Sequence, residues 1–140
     1  MLDDANILSE EILLRRVNTK NPNMWKVDFV TGKKRVSSAA FAYQNDGVSV
    51  YREKVLRNFN LVPKDILLKP TEVVLGIQVE NVRSCTCLGV RDDPWPQGIQ
   101  DEYHLRNAAH ALIVGWNEIS TSARKKYQRY LATKACIINT

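Results

Sequence analysis

Cysteine, histidine and glycine are scarce in this chain, with three, two and six copies among 140 residues. Three cysteines are an odd number and cannot close a disulfide framework, which suits a reducing compartment and buried structural thiols. Cys85-Thr86-Cys87 leaves one residue between thiols, where structural zinc sites leave roughly two to four. No metal site is expected, and a C-x-x-C redox pair is missing. The glycines build no G-x-G-x-x-G, Walker A or G-x-S-x-G element, and H-E-x-x-H is also absent, so the enzyme classes those motifs define are excluded. No motif calls for a cofactor. No apolar run approaches the ~20 residues that cross a bilayer. The acidic start, Met1-Leu2-Asp3-Asp4, has no basic-then-apolar signal pattern, so the expected location is cytoplasmic with no membrane partner. Without repeats or Gly/Ser linkers, residues 1–140 are read as one globular domain, with 1–8 as a flexible arm.

Hydrophobic residues make up 44% and charged residues 25%, enough for an ordinary packed core. The net charge of +5 would suggest a nucleic-acid binder if it were spread over the surface. It is local instead. Residues 119–140 hold five bases and no acid, and the remaining 118 residues balance 15 against 15. A smaller asymmetry places Asp3, Asp4, Glu10 and Glu11 before Arg15, Arg16, Lys20, Lys26, Lys33, Lys34 and Arg35.

Ser9-Glu10-Glu11 before Ile12-Leu13-Leu14 predicts a short capped helix, with a strand through Leu14–Val17 as the competing reading. Trp25-Lys26-Val27-Asp28-Phe29 alternates like a strand, turns at Thr31-Gly32-Lys33-Lys34 and returns over 36–41. Ser49 is placed as the N-cap of a helix reaching about Asn60, with Tyr51, Val55 and Phe59 on its apolar face. Residues 73–79 are β-branched and nearly continuous, predicting a central strand. A short helix over 80–88 ends at Gly89, 97–106 is a polar loop, 109–115 is a strand, and Ser120 caps a final basic helix. The order implies an α+β single domain, a small mixed β-sheet with packed helices.

Arg15, Arg16, Arg35, Ser37, Ser38, Arg83 and His110 fall at the ends of these elements or inside them. Forked guanidinium donors, hydroxyls and an imidazole suit an anionic, nucleotide-like ligand, with His110 as acid or base if the protein is an enzyme. The alternative is that Arg15 or Arg16 pairs with Glu10 or Glu11 and that His110 is a satisfied strand histidine. Arg124, Lys125, Lys126 and Arg129 form a second, nucleic-acid-binding candidate on the last helix. Trp95, between Pro94 and Pro96, is a candidate partner contact.

Taken in order, Leu14-Arg15-Arg16-Val17, Ser37-Ser38-Ala39-Ala40-Phe41, Ser49-Val50-Tyr51, Val82-Arg83, Leu88-Gly89-Val90, Asp93-Pro94-x-Pro96 and Ala109-His110-Ala111-x-Ile113-x-Gly115 resemble a group of small bacterial cytosolic proteins. That resemblance implies a partner-binding accessory of a defence or mobile-element system. A looser similarity to ADP-ribosyl-transfer folds would give Arg15 or Arg16 and Ser37 or Ser38 dinucleotide-holding roles. Glu72, Glu80, Glu102 and Glu118 all lack the local motif of that fold's catalytic glutamate. The leading expectation is a non-catalytic module that binds a protein partner or an anionic ligand. A nucleotide- or RNA-directed enzyme is one alternative, and nucleic-acid binding by the final helix is another.

Overall fold

Leu13 and Leu14 are neighbours in the chain and both are completely buried. In a strand, successive side chains point to opposite faces, so a sheet covered on both faces is needed to bury the two together. The segment Ile12–Asn18 is accordingly a strand, β1, where a short helix was expected from Ser9. The structure is a computed structural model that describes residues 3–94 and 104–138.

The described residues form eight strands: β1, β2 (Trp25–Val27), β3 (Lys34–Val36), β4 (Gly47–Arg52), β5 (Glu72–Gln78), β6 (Gly89–Asp92), β7 (His110–Val114) and β8 (Cys136–Ile138). Six form one sheet in the order β6-β7-β4-β1-β5-β8, and β2 pairs with β3 as a separate hairpin. The α+β class is as expected. All pairings among the described strands are antiparallel, a more uniform sheet than a mixed one. The helices are α1 (Glu53–Asn58), α2 (Val79–Arg83), α3 (His104–Asn107) and α4 (Thr121–Lys134).

One face of the sheet carries Leu13, Val17, Val48, Val50, Leu75, Ile77, Val90, Ala111 and Ile113, packed with Leu131 of α4, Val79 and Val82 of α2, Phe41 and Trp116. The other face carries Leu14, Tyr51 and Val74, packed with Leu56 of α1, Ile66 and Ala109, which precedes β7. Ser120 caps α4 as its sequence predicts, its Oγ accepting from the Ala123 N–H at 3.2 Å.

Several expectations change. Residues 47–52 are strand β4 rather than the start of a helix, because Val48 and Val50 face one core and Tyr51 the other, a period of two. Strand β5 lies where predicted, but between β1 and β8, with β4 and β1 at the middle of the sheet. Gly89 opens β6 and does not end a helix. The returning segment 36–41 is divided between β3 and a 3-10 turn, Ser38–Phe41. Within the expected polar loop 97–106, His104 to Arg106 belong to α3; the rest of that loop, and Trp95, lie outside the described residues.

The expected flexible arm is docked from Asp3 onward. Ile7 is completely buried, Asp4 N donates to the Val90 carbonyl at 2.8 Å, and Asp3 Oδ1 accepts from Val90 N at 2.9 Å.

Candidate functional site

The seven residues read as one ligand surface are distributed over four places. Arg15 and Arg16 are consecutive in β1 and therefore serve opposite faces. β1 pairs with all of β5 but with β4 only at Leu13 and Leu14. Where β1 and β4 separate, the Arg15 guanidinium fills the gap, donating to the carbonyls of Ala40 and, at 2.7 Å, of Ser49. Burial, and then the charge of Arg16, lower its pKa to about 10, so it stays cationic at neutral pH. Arg83 binds the N-terminal arm: it donates to Ser9 Oγ at 2.9 Å, to the carbonyls of Asp4 and Ile7 at 2.9 and 2.6 Å, and pairs with Asp3 at 3.3 Å.

Arg16 and His110 do come to one face. The Arg16 guanidinium donates to the Ile66 carbonyl at 2.9 Å and lies 5.8 Å from the Tyr51 ring centre. His110 stands edge-on to Tyr51 at 5.5 Å and is buried. Its Nδ1 lies 2.9 Å from the Asp93 carbonyl oxygen and 3.2 Å from Asp93 Oδ2, and its Nε2 lies 2.5 Å from Ser49 Oγ. On the same face Arg106 Nη1 donates to the Asp65 carbonyl at 3.3 Å. Tyr51 Oη and both amide atoms of Asn107 are buried and lack a hydrogen-bond partner among the described residues. Sequence reasoning missed both Ser49, which it placed at a helix cap, and Asp93, which it named only within the Asp93-Pro94-x-Pro96 resemblance. The period-two reading of 48–51 is the signal that would have set Ser49 on the strand.

Arg35, Ser37 and Ser38 meet a residue assigned to the other candidate set, Arg129. The β2–β3 hairpin and α4 enclose two adjoining depressions of about 140 and 320 Å³, open to solvent. Lys26, Arg35, Ser38, Arg129 and Thr133 line the first; Lys34 joins Arg35 and Thr133 at the second. Hairpin register sets Lys26 opposite Arg35. On α4, Arg129, Ala132 and Thr133 share a face at helical spacing, and the small Ala132 leaves the room. Every charged side chain lining either depression is basic among the described residues. Ser37 lines the wall as a structural cap, its Oγ donating to the Asn23 carbonyl and accepting from Ala39 N. Lys26 and Lys34 were missed as site residues, although the hairpin was legible and its pairing would have brought Lys26 to Arg35.

At the hairpin tip Phe29 and Val30 are 103% and 94% exposed. Asp28 is held within the turn, where the Val30 and then the Thr31 backbone N–H bonds, with Arg35 nearby, keep its carboxyl below the usual range.

The other basic residues of α4 divide by role. Arg124 is structural: Nε donates to the Trp116 carbonyl at 2.6 Å, Nη1 to Tyr43 Oη at 3.0 Å, and its guanidinium covers the Tyr43 ring that stacks on Trp116. Lys125 and Lys126 are exposed. Among the described residues no three His, Cys, Asp or Glu side chains gather as a metal site. All three thiols are free, and burial pushes Cys85 up to about 11, which keeps it protonated. No helix of the described residues is long and apolar enough to cross a membrane.

No protein-family model, curated protein or solved structure matches the chain.

Proposed function

We propose that the protein binds single-stranded nucleic acid along the groove between the β2–β3 hairpin and α4. The reading is carried by one observation: Lys26, Lys34, Arg35 and Arg129 line that groove, and no acidic side chain is part of its lining among the described residues, Asp28 near Arg35 being tied up in the hairpin turn. Like charges held together repel one another, so such a surface is stabilised by an anion that neutralises several at once. The cations are spread along two depressions, which matches a chain of phosphates better than one small anion. Phe29 at the adjacent tip adds an exposed ring on which a base can stack.

A fluorescent single-stranded oligonucleotide titrated at several salt concentrations tests this. Binding is expected to weaken linearly on a log–log plot, by about 0.7 in slope for each phosphate neutralised. The pair Arg35→Ala and Arg129→Ala should lower affinity at least tenfold and reduce the slope by about 1.4, since two phosphate contacts are removed. Both side chains are exposed, so melting should be unchanged. Salt-independent binding, or none, rejects the proposal.

A further inference from the structure

We infer that Ser49, His110 and Asp93 form a nucleophilic site for carboxylic ester hydrolysis, separate from the groove. The three elements needed are present in the required order. Ser49 Oγ lies 2.5 Å from His110 Nε2, and the opposite ring nitrogen faces Asp93 through both its carbonyl, at 2.9 Å, and its carboxylate, at 3.2 Å. Two acceptors at Nδ1 require the hydrogen there, which leaves the lone pair of the neutral imidazole on Nε2 to receive the Ser49 hydroxyl proton. That is the tautomer a serine nucleophile needs.

The sheet explains the placement. Ser49 on β4 and His110 on β7 are diagonal neighbours, because Tyr51 is directly opposite His110 and Ser49 opposite Leu112; they therefore share a face. Asp93 follows β6, whose Asp92 is opposite Ala111, and Asp93 N donates to the His110 carbonyl at 3.0 Å. Exposure also fits the roles. Ser49 is open to solvent, while the His110 side chain is 4% exposed, shielded by the T-shaped Tyr51 ring. The nucleophile meets substrate and the base stays protected.

The carboxylate selects the chemistry. During acyl transfer the imidazole becomes positive, next to Asp93, while a single negative charge grows on the substrate carbonyl oxygen. Phosphoryl transfer would gather more negative charge near that same carboxylate. In the first half-reaction Ser49 Oγ bonds to the ester carbonyl carbon, its proton passes to Nε2, and the C–O bond to the alcohol breaks as the alcohol takes that proton. In the second, water gives its proton to Nε2, its oxygen bonds to the acyl carbon, and the acid leaves as Ser49 regains the proton. Asp93 is a positioning residue.

The test is a fluorophosphonate probe on the full chain, with p-nitrophenyl acetate as the turnover substrate. The expected result is a covalent adduct that mass spectrometry places on Ser49 and a burst of p-nitrophenol, both lost in Ser49→Ala. Ser49 is exposed, so that variant keeps its fold and its oligonucleotide affinity. His110→Ala should label about 100-fold more slowly, the usual scale for a general base, and added imidazole should restore part of the rate. Asp93→Asn should lower kcat with little change in KM. No adduct at Ser49, or ester hydrolysis that Ser49→Ala retains, overturns the inference.

Discussion

Gly115→Ala is expected to destabilise the protein by about 3 kcal/mol or more, lowering Tm by roughly 10 °C on the usual scale for a chain of this size. Two costs add. Gly115 has φ +106 and ψ 0 where β7 passes into the 3-10 turn Trp116–Glu118, a conformation L side chains adopt at a cost of about 1–2 kcal/mol. In addition, a Cβ there would stand 2.1 Å from the Cys87 carbonyl oxygen and 3.2 Å from the Leu88 Cα. Both are backbone atoms of the turn before β6, so no rotamer change relieves the contact. Gly32→Ala is the control: φ is +69 at the hairpin turn and the space around it is open, so only the conformational cost of about 1 kcal/mol applies. Thermal melts of the two variants should differ severalfold in ΔTm. Equal losses would show that the β7–β6 contact gives way easily.

How far the sequence discloses this fold depends on whether a segment's partners are local. The final helix is legible to its first residue because Ser120, the acid-free basic stretch and the Tyr127/Leu131 spacing all act within one element. Strand β5 is legible as a strand because it is buried on both faces and reads as a β-branched run. Its position in the sheet is not, since β8, which covers it, is a three-residue strand formed only by pairing with β5. Residues 47–60 misled for a related reason. Tyr51, Val55 and Phe59 have helical spacing, but the helix begins only at Glu53, and the strand before it is specified by β1 and β7 on either side.

The candidate sites follow the same division. His110 and Arg16 share a face because β7 and β1 flank β4, a fact of sheet order that residue types do not carry. Arg15 has the same chemistry as Arg16 and a different task, decided by strand parity and by the point where β1 leaves β4. Sequence proximity grouped Arg15 with Arg16; the pleat separated them. The basic groove was half legible, since Arg35, Ser38 and Arg129 were each singled out, and their meeting needs α4 to return across the hairpin.

The second large effect concerns Glu11, which was weighed as a partner of Arg15 or Arg16 and pairs instead with Arg52 of β4. Arg52 Nε donates to Oε1 and Nη2 to Oε2, each at 3.0 Å, and the Leu8 N–H adds a third bond to Oε2 at 2.9 Å. The Glu11 side chain is 3% exposed and Arg52 14%, so removing one partner leaves a charge in a largely dry place. Among the described residues Arg52 then keeps Asp92 as its ion-pair partner, at 3.6 Å and more exposed. Glu11→Ala should therefore cost about 3 kcal/mol, the lower end for breaking a buried ion pair. Glu11→Gln retains one acceptor and should cost less, about 1.5 kcal/mol. Burial alone would raise the Glu11 carboxyl, but the Arg52 bond, the Leu8 N–H and the Arg52 and Lys54 charges outweigh it and hold the pKa below 4.5. A depressed carboxylate stabilises the fold above its unfolded value and loses that contribution as pH falls through its folded value. The Tm gap between the wild type and Glu11→Gln should accordingly be full at pH 6–7, begin to narrow as pH falls below the ordinary carboxyl value of 4.5 and close only once pH has passed below the depressed folded value. A gap that stays constant across that range would mean that the pair acts through shape alone.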